Sequence, residues 1–155
     1  MTTTTRVTPV GIHMDDGFST KIAFAADANV SFWEKTVTPP GVEGGDAIET
    51  TTMHNVTWRT MAARKLRTLT DASITVMYDP WVFDQIVALV NIEGEITVHF
   101  PNGDTLDFWG FLKSFVPGEL VEGSPPEAEI TIVCTNQNLS GVEVSPTLTA
   151  ASTAT

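Results

Sequence analysis

The chain has 155 residues, 19 of them acidic and 8 basic, for a formal charge of −11. That length supports one domain with a real core. The charge argues against nucleic acid or an anionic membrane as an adhesive partner, because phosphate surfaces are held by Lys and Arg; it leaves room for DNA that passes without specific binding.

No segment approaches the roughly 20 apolar residues of a membrane span, so no membrane anchor is expected. The opening MTTTTRVTPV lacks the apolar stretch of a signal peptide, which makes synthesis in a cytoplasm the expectation. The lone Cys134 rules out an internal disulfide framework.

Residues 1–12 are Thr-rich and weakly patterned, and read as an N-terminal arm. The domain proper is expected over 13–135. Phe18, Ile22 and Phe24 mark one short strand; Val30, Phe32, Trp33 and Val37 mark the next. Pro39-Pro40-Gly41 ends that run, since neither proline can donate to a sheet ladder.

Residues 41–70 then form a long inter-strand loop with only weak helical spacing at Trp58, Met61, Ala62 and Leu66. Loops this long are uncommon in compact domains and tend to be functional. This one holds Ile48, Met53, Val56 and Trp58, too apolar for a solvated linker, and it carries Arg59, Arg64, Lys65 and Arg67. In so acidic a chain, such a basic cluster is better matched to an acidic patch on an identical partner than to nucleic acid.

The centre of the chain is residues 71–102. Ile74, Val76 and Tyr78 alternate with Ser73, Thr75 and Met77, as one strand with a buried face requires. Asp79-Pro80 is a helix start: Asp caps free amide donors, and Pro costs nothing in the first turn. Val82, Phe83, Ile86, Val87 and Val90 fall on one helical face, with Trp81, Ala88 and Leu89 off it. A helix apolar nearly all round needs cover on two sides, and a small sheet supplies only one. A neighbouring subunit is expected to supply the other.

Asn91 and Gly94 bracket the exit, and Ile96, Val98 and Phe100 alternate up to a turn at Pro101-Asn102-Gly103-Asp104. A second strand follows, with Leu106, Phe108, Gly110 and Leu112 on one side and Asp107, Trp109, Phe111 and Lys113 on the other. After a break near Pro117-Gly118, residues 127–135 alternate cleanly, with Ala128, Ile130, Ile132 and Cys134 inward. Residues 136–155 are expected to be a flexible C-terminal arm, too poor in apolar residues to pack. The fold class that follows is mainly β: an antiparallel β-sandwich or barrel with one short flanking α-helix. Its polar sheet face carries Glu95, Thr97, His99, Glu127, Glu129 and Thr131, a pattern that an ordinary solvated face also produces.

Motifs for chemistry are missing. His13, His54 and His99 stand apart, no zinc or EF-hand spacing occurs, and Gly44-Gly45-Asp46 is not followed by the Gly-Lys-Ser/Thr of a phosphate loop. Neither a metal nor a cofactor is expected. Cys134 at an inward strand position reads as a core thiol rather than a nucleophile. Nothing in the sequence points to an enzyme. The four tryptophans fit a core or a subunit interface better than a sugar-stacking platform. A carbohydrate-binding or virion-decoration module nevertheless stays as the alternative.

Taken in order, the motifs resemble the major tail tube protein of long-tailed bacteriophages. The resemblance runs over about 18–135 and rests on Phe32-Trp33-Glu34, Pro39-Pro40-Gly41, Gly44-Gly45-Asp46 and Ile48, then the Thr51-Thr52-Met53-His54-Asn55 run. A strand, a helix after Asp79-Pro80 and a hairpin through Pro101-Asn102-Gly103 complete it. It implies hexameric rings stacked into a virion tail tube, whose inner sheets make a negative lumen for DNA ejection. It also implies further tail partners: a tape measure, a tail terminator and a distal tail protein.

On that footing Ile48, Met53, Trp58, Arg59, Arg64 and Arg67 are the expected ring-stacking residues. Trp81, Phe83 and Leu89 are expected at a subunit interface, and Glu95, Glu127 and Glu129 in the lumen. The same fold is shared by tube proteins of contractile secretion machines.

Overall fold

Alternating residues in the middle of the chain do build one sheet. The computed structural model describes residues 19–27, 30 and 32–150; the expected N-terminal arm, Phe18 and His13 lie outside them. Strand β1 is Lys21–Phe24 and β2 is Glu34–Thr38. Four two-residue strands follow: β3 Val42–Glu43, β4 Ile48–Glu49, β5 Met61–Ala62 and β6 Thr68–Leu69. Then come β7 Ala72–Met77, helix α1 Phe83–Leu89, β8 Gly94–His99, β9 Thr105–Pro117, β10 Glu127–Cys134 and β11 Thr147–Thr149. The main sheet runs β1-β8-β9-β10-β7-β2, with β11 also on β9, and every pairing in it is antiparallel. It curls into a half-barrel.

Period-two alternation determines which face is buried. Ile96, Val98, Phe108, Leu112, Ile130, Ile132, Ile74 and Val76 are all at most 2% exposed and share the concave, core side. Two register shifts adjust the pattern. In β9, Leu112 pairs with Ile132 and Ser114 with Thr131, so Lys113 is an extra residue, and Phe115 rather than an even-numbered neighbour packs on the core. In β2 the shift falls between Glu34 and Thr36. Such bulges increase local twist and help a sheet to curl. The two edge strands approach each other: Ile22 N donates to Glu34 Oε1 at 3.3 Å, giving an edge amide a partner.

Helix α1 covers the core face. Asp79 lies in extended backbone and its carboxylate accepts from Trp81 N at 3.0 Å; Pro80–Val82 make one 3₁₀ turn leading into α1. Asn91, at φ 64°, turns the chain out of the helix, and its amide bonds the Leu112 carbonyl at 3.1 Å, tying the exit to β9. The inward face is Val82, Ile86, Leu89 and Val90. This corrects the expected face in two places. Leu89, assigned to a subunit interface, is 3% exposed and belongs to the chain's own core. Phe83 and Val87, expected on the same apolar face as Val82, Ile86 and Val90, are 50% and 58% exposed, which leaves Phe83 free for the subunit interface expected of it. Val82, Ile86, Leu89 and Val90 are themselves an i, i+4, i+7, i+8 stripe, so spacing alone admits both faces and packing on the sheet decides which is buried.

A second correction concerns residues 41–70, which form a two-stranded arm rather than a loop with helical tendency. Val42 pairs with Leu69 and Glu43 with Thr68; farther out, Ile48 pairs with Ala62 and Glu49 with Met61. The Thr and β-branched residues favour extended backbone there, and Leu69, 8% exposed, anchors the base. A third concerns the C-terminal region. Residues 136–150 are not a free arm: Gln137 bridges Glu143, and β11 continues the sheet by pairing Thr147 with Asp107 and Thr149 with Thr105. Main-chain bonding to β9 needs little apolar content, which is why composition alone missed it.

Candidate assembly surfaces

Three surfaces remain after the core is formed, and the first is the arm. Its walls are joined by local polar bonds. Thr50 N donates to Thr60 O at 2.9 Å, Thr60 N to Thr51 Oγ1 at 3.0 Å, and the Thr50 and Thr60 hydroxyls lie 2.9 Å apart. At the tip, Asn55 is the organiser: its Oδ1 accepts from Thr52 N at 3.0 Å and its Nδ2 donates to Trp58 O at 2.8 Å. Arg64 Nε bonds the Asp46 carbonyl at 2.7 Å, and Arg59 lies 3.7 Å from Glu49.

Held by these bonds, the arm turns apolar side chains to water. Met53 is 100% exposed, Val56 98%, and Trp58 81%. Of the expected stacking residues, Met53, Trp58 and Arg59 sit at or beside the tip. Ile48 and Arg64 lie midway, and Arg67 lies near the base.

The second surface is the outer side of α1, where Trp81, Phe83 and Val87 are exposed around Asp84. Trp81 and Phe83 therefore remain available for a contact that Leu89 is not.

The third is the non-core face of the main sheet. Cross-strand pairing puts Glu95 opposite Trp109, Thr97 opposite Asp107, and His99 opposite Thr105; Glu129 lies between Thr75 and Val116, and Thr131 between Ser73 and Ser114. All six polar residues expected on one face share it. They do not form one cluster, because Trp109 and Val116 are separated along β9 by roughly 20 Å at strand rise. His99 stands at one end, Glu127 with Glu129 at the other, and Glu95 between them. Glu127 is ion-paired with Lys35, which lowers its share of the face's negative charge. Asp107, not among the expected lumen residues, accepts from the Thr97 hydroxyl at 2.6 Å. Its alternation with Trp109 and Phe111 was the available signal.

Among the described residues, no three His, Cys, Asp or Glu side chains converge as a metal site. Cys134 is half-buried with its Sγ 3.5 Å from the Thr70 carbonyl; burial, and then the Asp71 carboxylate, raise the thiol to about 11. A thiol so poorly ionised is a weak nucleophile. A cleft between Leu66 and Arg67 of the arm base and Glu143–Pro146 is open and of mixed polarity.

A curled antiparallel half-barrel with one helix on its core side and a long hairpin arm is the architecture these residues define. It is the fold of chains found in phage-tail-related assemblies. One match is a chain from the anti-feeding prophage baseplate, with a TM-score of 0.55 and 9% identity, covering 84% of this chain and 91% of that one. Another comes from the tail of an empty gene transfer agent particle, with a TM-score of 0.59 and 11% identity, covering 88% of this chain and 100% of that one. A chain from the native gene transfer agent virion gives 0.59 at 12% identity, with the same coverages. No protein-family model matches the chain, and no curated protein matches it.

Proposed function

We propose that this protein is a structural subunit of a phage-type tail that self-assembles into hexameric rings, and that the rings stack into a tube through which DNA passes. The arm is the observation that carries the reading. Exposed Met53, Val56 and Trp58 at the end of an internally bonded hairpin have no purpose in a dispersed monomer, and large exposed apolar patches mark interaction sites. The fold likeness supports it, since the neighbours are chains of tails and baseplates described with sixfold symmetry. In this reading the arm makes the contact between rings, the outer side of α1 meets another subunit, and the acidic sheet face lines the lumen. A surface of Glu95, Asp107 and Glu129 repels phosphate, so DNA slides rather than binds. Tape-measure, terminator and distal-tail partners would join at the tube's length and ends.

Negative-stain microscopy of the purified protein tests the class: hollow tubes or rings are expected, and a protein that stays monomeric at high concentration overturns it. Removing residues 44–67 should leave a folded chain that no longer elongates. Tubes of normal length from that variant would remove the arm's role. The rival sugar-binding reading rests on exposed Trp33, Trp58 and Trp81, which sit on different elements. Sugar-dependent quenching of their fluorescence would favour it.

A further inference from the structure

The arm and α1 are complementary in chemistry and cannot satisfy each other within one chain. Residues 50–67 contain Arg59, Arg64, Lys65 and Arg67 and no carboxylate; the helical segment 79–90 contains Asp79 and Asp84 and no Lys, Arg or His. Each segment also carries exposed apolar side chains beside its charge: Met53, Val56 and Trp58 on the first, Trp81, Phe83 and Val87 on the second. In this structure Met53 is wholly exposed and Trp81 is 92% exposed, so the tip does not rest on its own helix.

Two different complementary patches on one chain make a heterologous contact, the kind that propagates from copy to copy instead of closing on a dimer. The arm has the reach: the twelve residue steps from Glu43 to Asn55 extend at most roughly 40 Å at strand rise. We infer that the arm tip of one copy seats on the outer face of α1 in a second copy, with Trp58 and Met53 against Phe83 and Val87, and Arg59 toward Asp84. This rests on the tail-subunit reading above and adds the acceptor surface. It makes the outer side of α1 a contact between rings rather than within one. Charge opposition selects the partner and register, while the aromatic and thioether side chains supply the buried centre.

Cross-linking between two separately purified proteins tests it. Both carry Cys134→Ala; one adds Val56→Cys and the other Val87→Cys. Mixed and oxidised, they should give a disulfide-linked dimer on a non-reducing gel. Either protein alone, or Val56→Cys mixed with Thr36→Cys on the sheet face, should give little. Tubes visible in the same sample without the 56–87 cross-link overturn the inference and leave the tail reading standing. Absence of any assembly by the unmodified protein overturns both.

Charge exchange gives a second readout that leaves Cys134 untouched. Asp84→Arg and Arg59→Asp should each weaken assembly by about tenfold or more, and the two changes in one chain should restore it. Single variants that assemble normally, or a double variant that stays defective while all three melt at the parent temperature, would count against the pairing.

Discussion

Replacing Gly110 with Ala probes the packing that holds the polar sheet face in place. Gly110 is buried in β9, opposite Gly94 on one side and Cys134 on the other. A methyl group there would collide with the Val133 carbonyl oxygen and lie 3.3 Å from the Cys134 Cα. Both obstacles are backbone, so relief requires β9 and β10 to separate, whereas a flexible side chain could simply swing away. Overpacking of this kind costs about 1–3 kcal/mol, and losing one or two ladder bonds adds about 1 kcal/mol each. The stiffer unfolded chain returns about 0.4–1 kcal/mol. The net is a destabilisation of about 3 kcal/mol, which for a chain of this size lowers Tm by about 6–12 °C. Thermal and urea unfolding followed by far-UV circular dichroism would measure it. Gly44→Ala is the matched control, because a methyl at Gly44 meets nothing within 4 Å; it should stay within about 0.5 kcal/mol of the parent. Equal stability of the Gly110 and Gly44 variants would refute the close β9–β10 approach, and with it the register that puts Glu129 on the polar face.

Asp79→Ala removes the bond to Trp81 N and should cost about 1 kcal/mol, read as a lower urea midpoint with unchanged slope. Cys134 should react slowly with iodoacetamide at pH 8 and faster as pH approaches 11, whereas the unfolded thiol titrates near 9.0. Because the folded value is the higher one, this thiol's contribution to stability is intact below pH 9 and is lost as pH rises through 9 to 11. Urea midpoints across that range check the sign. In assembled tubes, Glu95→Lys with Glu129→Lys should slow DNA release, and release at the parent rate would refute the lumen assignment.

Much of the sheet was readable in advance because strand parity is a local property. Ile74, Val76, Ile96, Val98, Ile130 and Ile132 declare their face by spacing alone, and the polar residues between them are thereby assigned to the other face. The Asp79-Pro80 helix start was equally legible, because capping involves neighbours only. The apolar and basic content of residues 41–70 was legible, but not their hairpin form. Its strands are two residues each, too short for periodicity to separate from weak helical spacing.

The sequence by itself therefore determined the mainly β class, the buried parity of each long strand, the helix start and the lack of catalytic motifs. Tertiary structure decided what depends on distant partners. The Lys113 bulge shifts Phe115 onto the core because β10 holds β9 on both sides of it. Packing against the sheet turns Leu89 inward and leaves Phe83 and Val87 outside. Lys35, ninety-two residues away in sequence, neutralises Glu127. β11 joins the sheet because β9 extends beyond β10 and offers unpaired main-chain groups. Each of these outcomes is set by contact between segments far apart in the chain, and local spacing carries no record of such contacts.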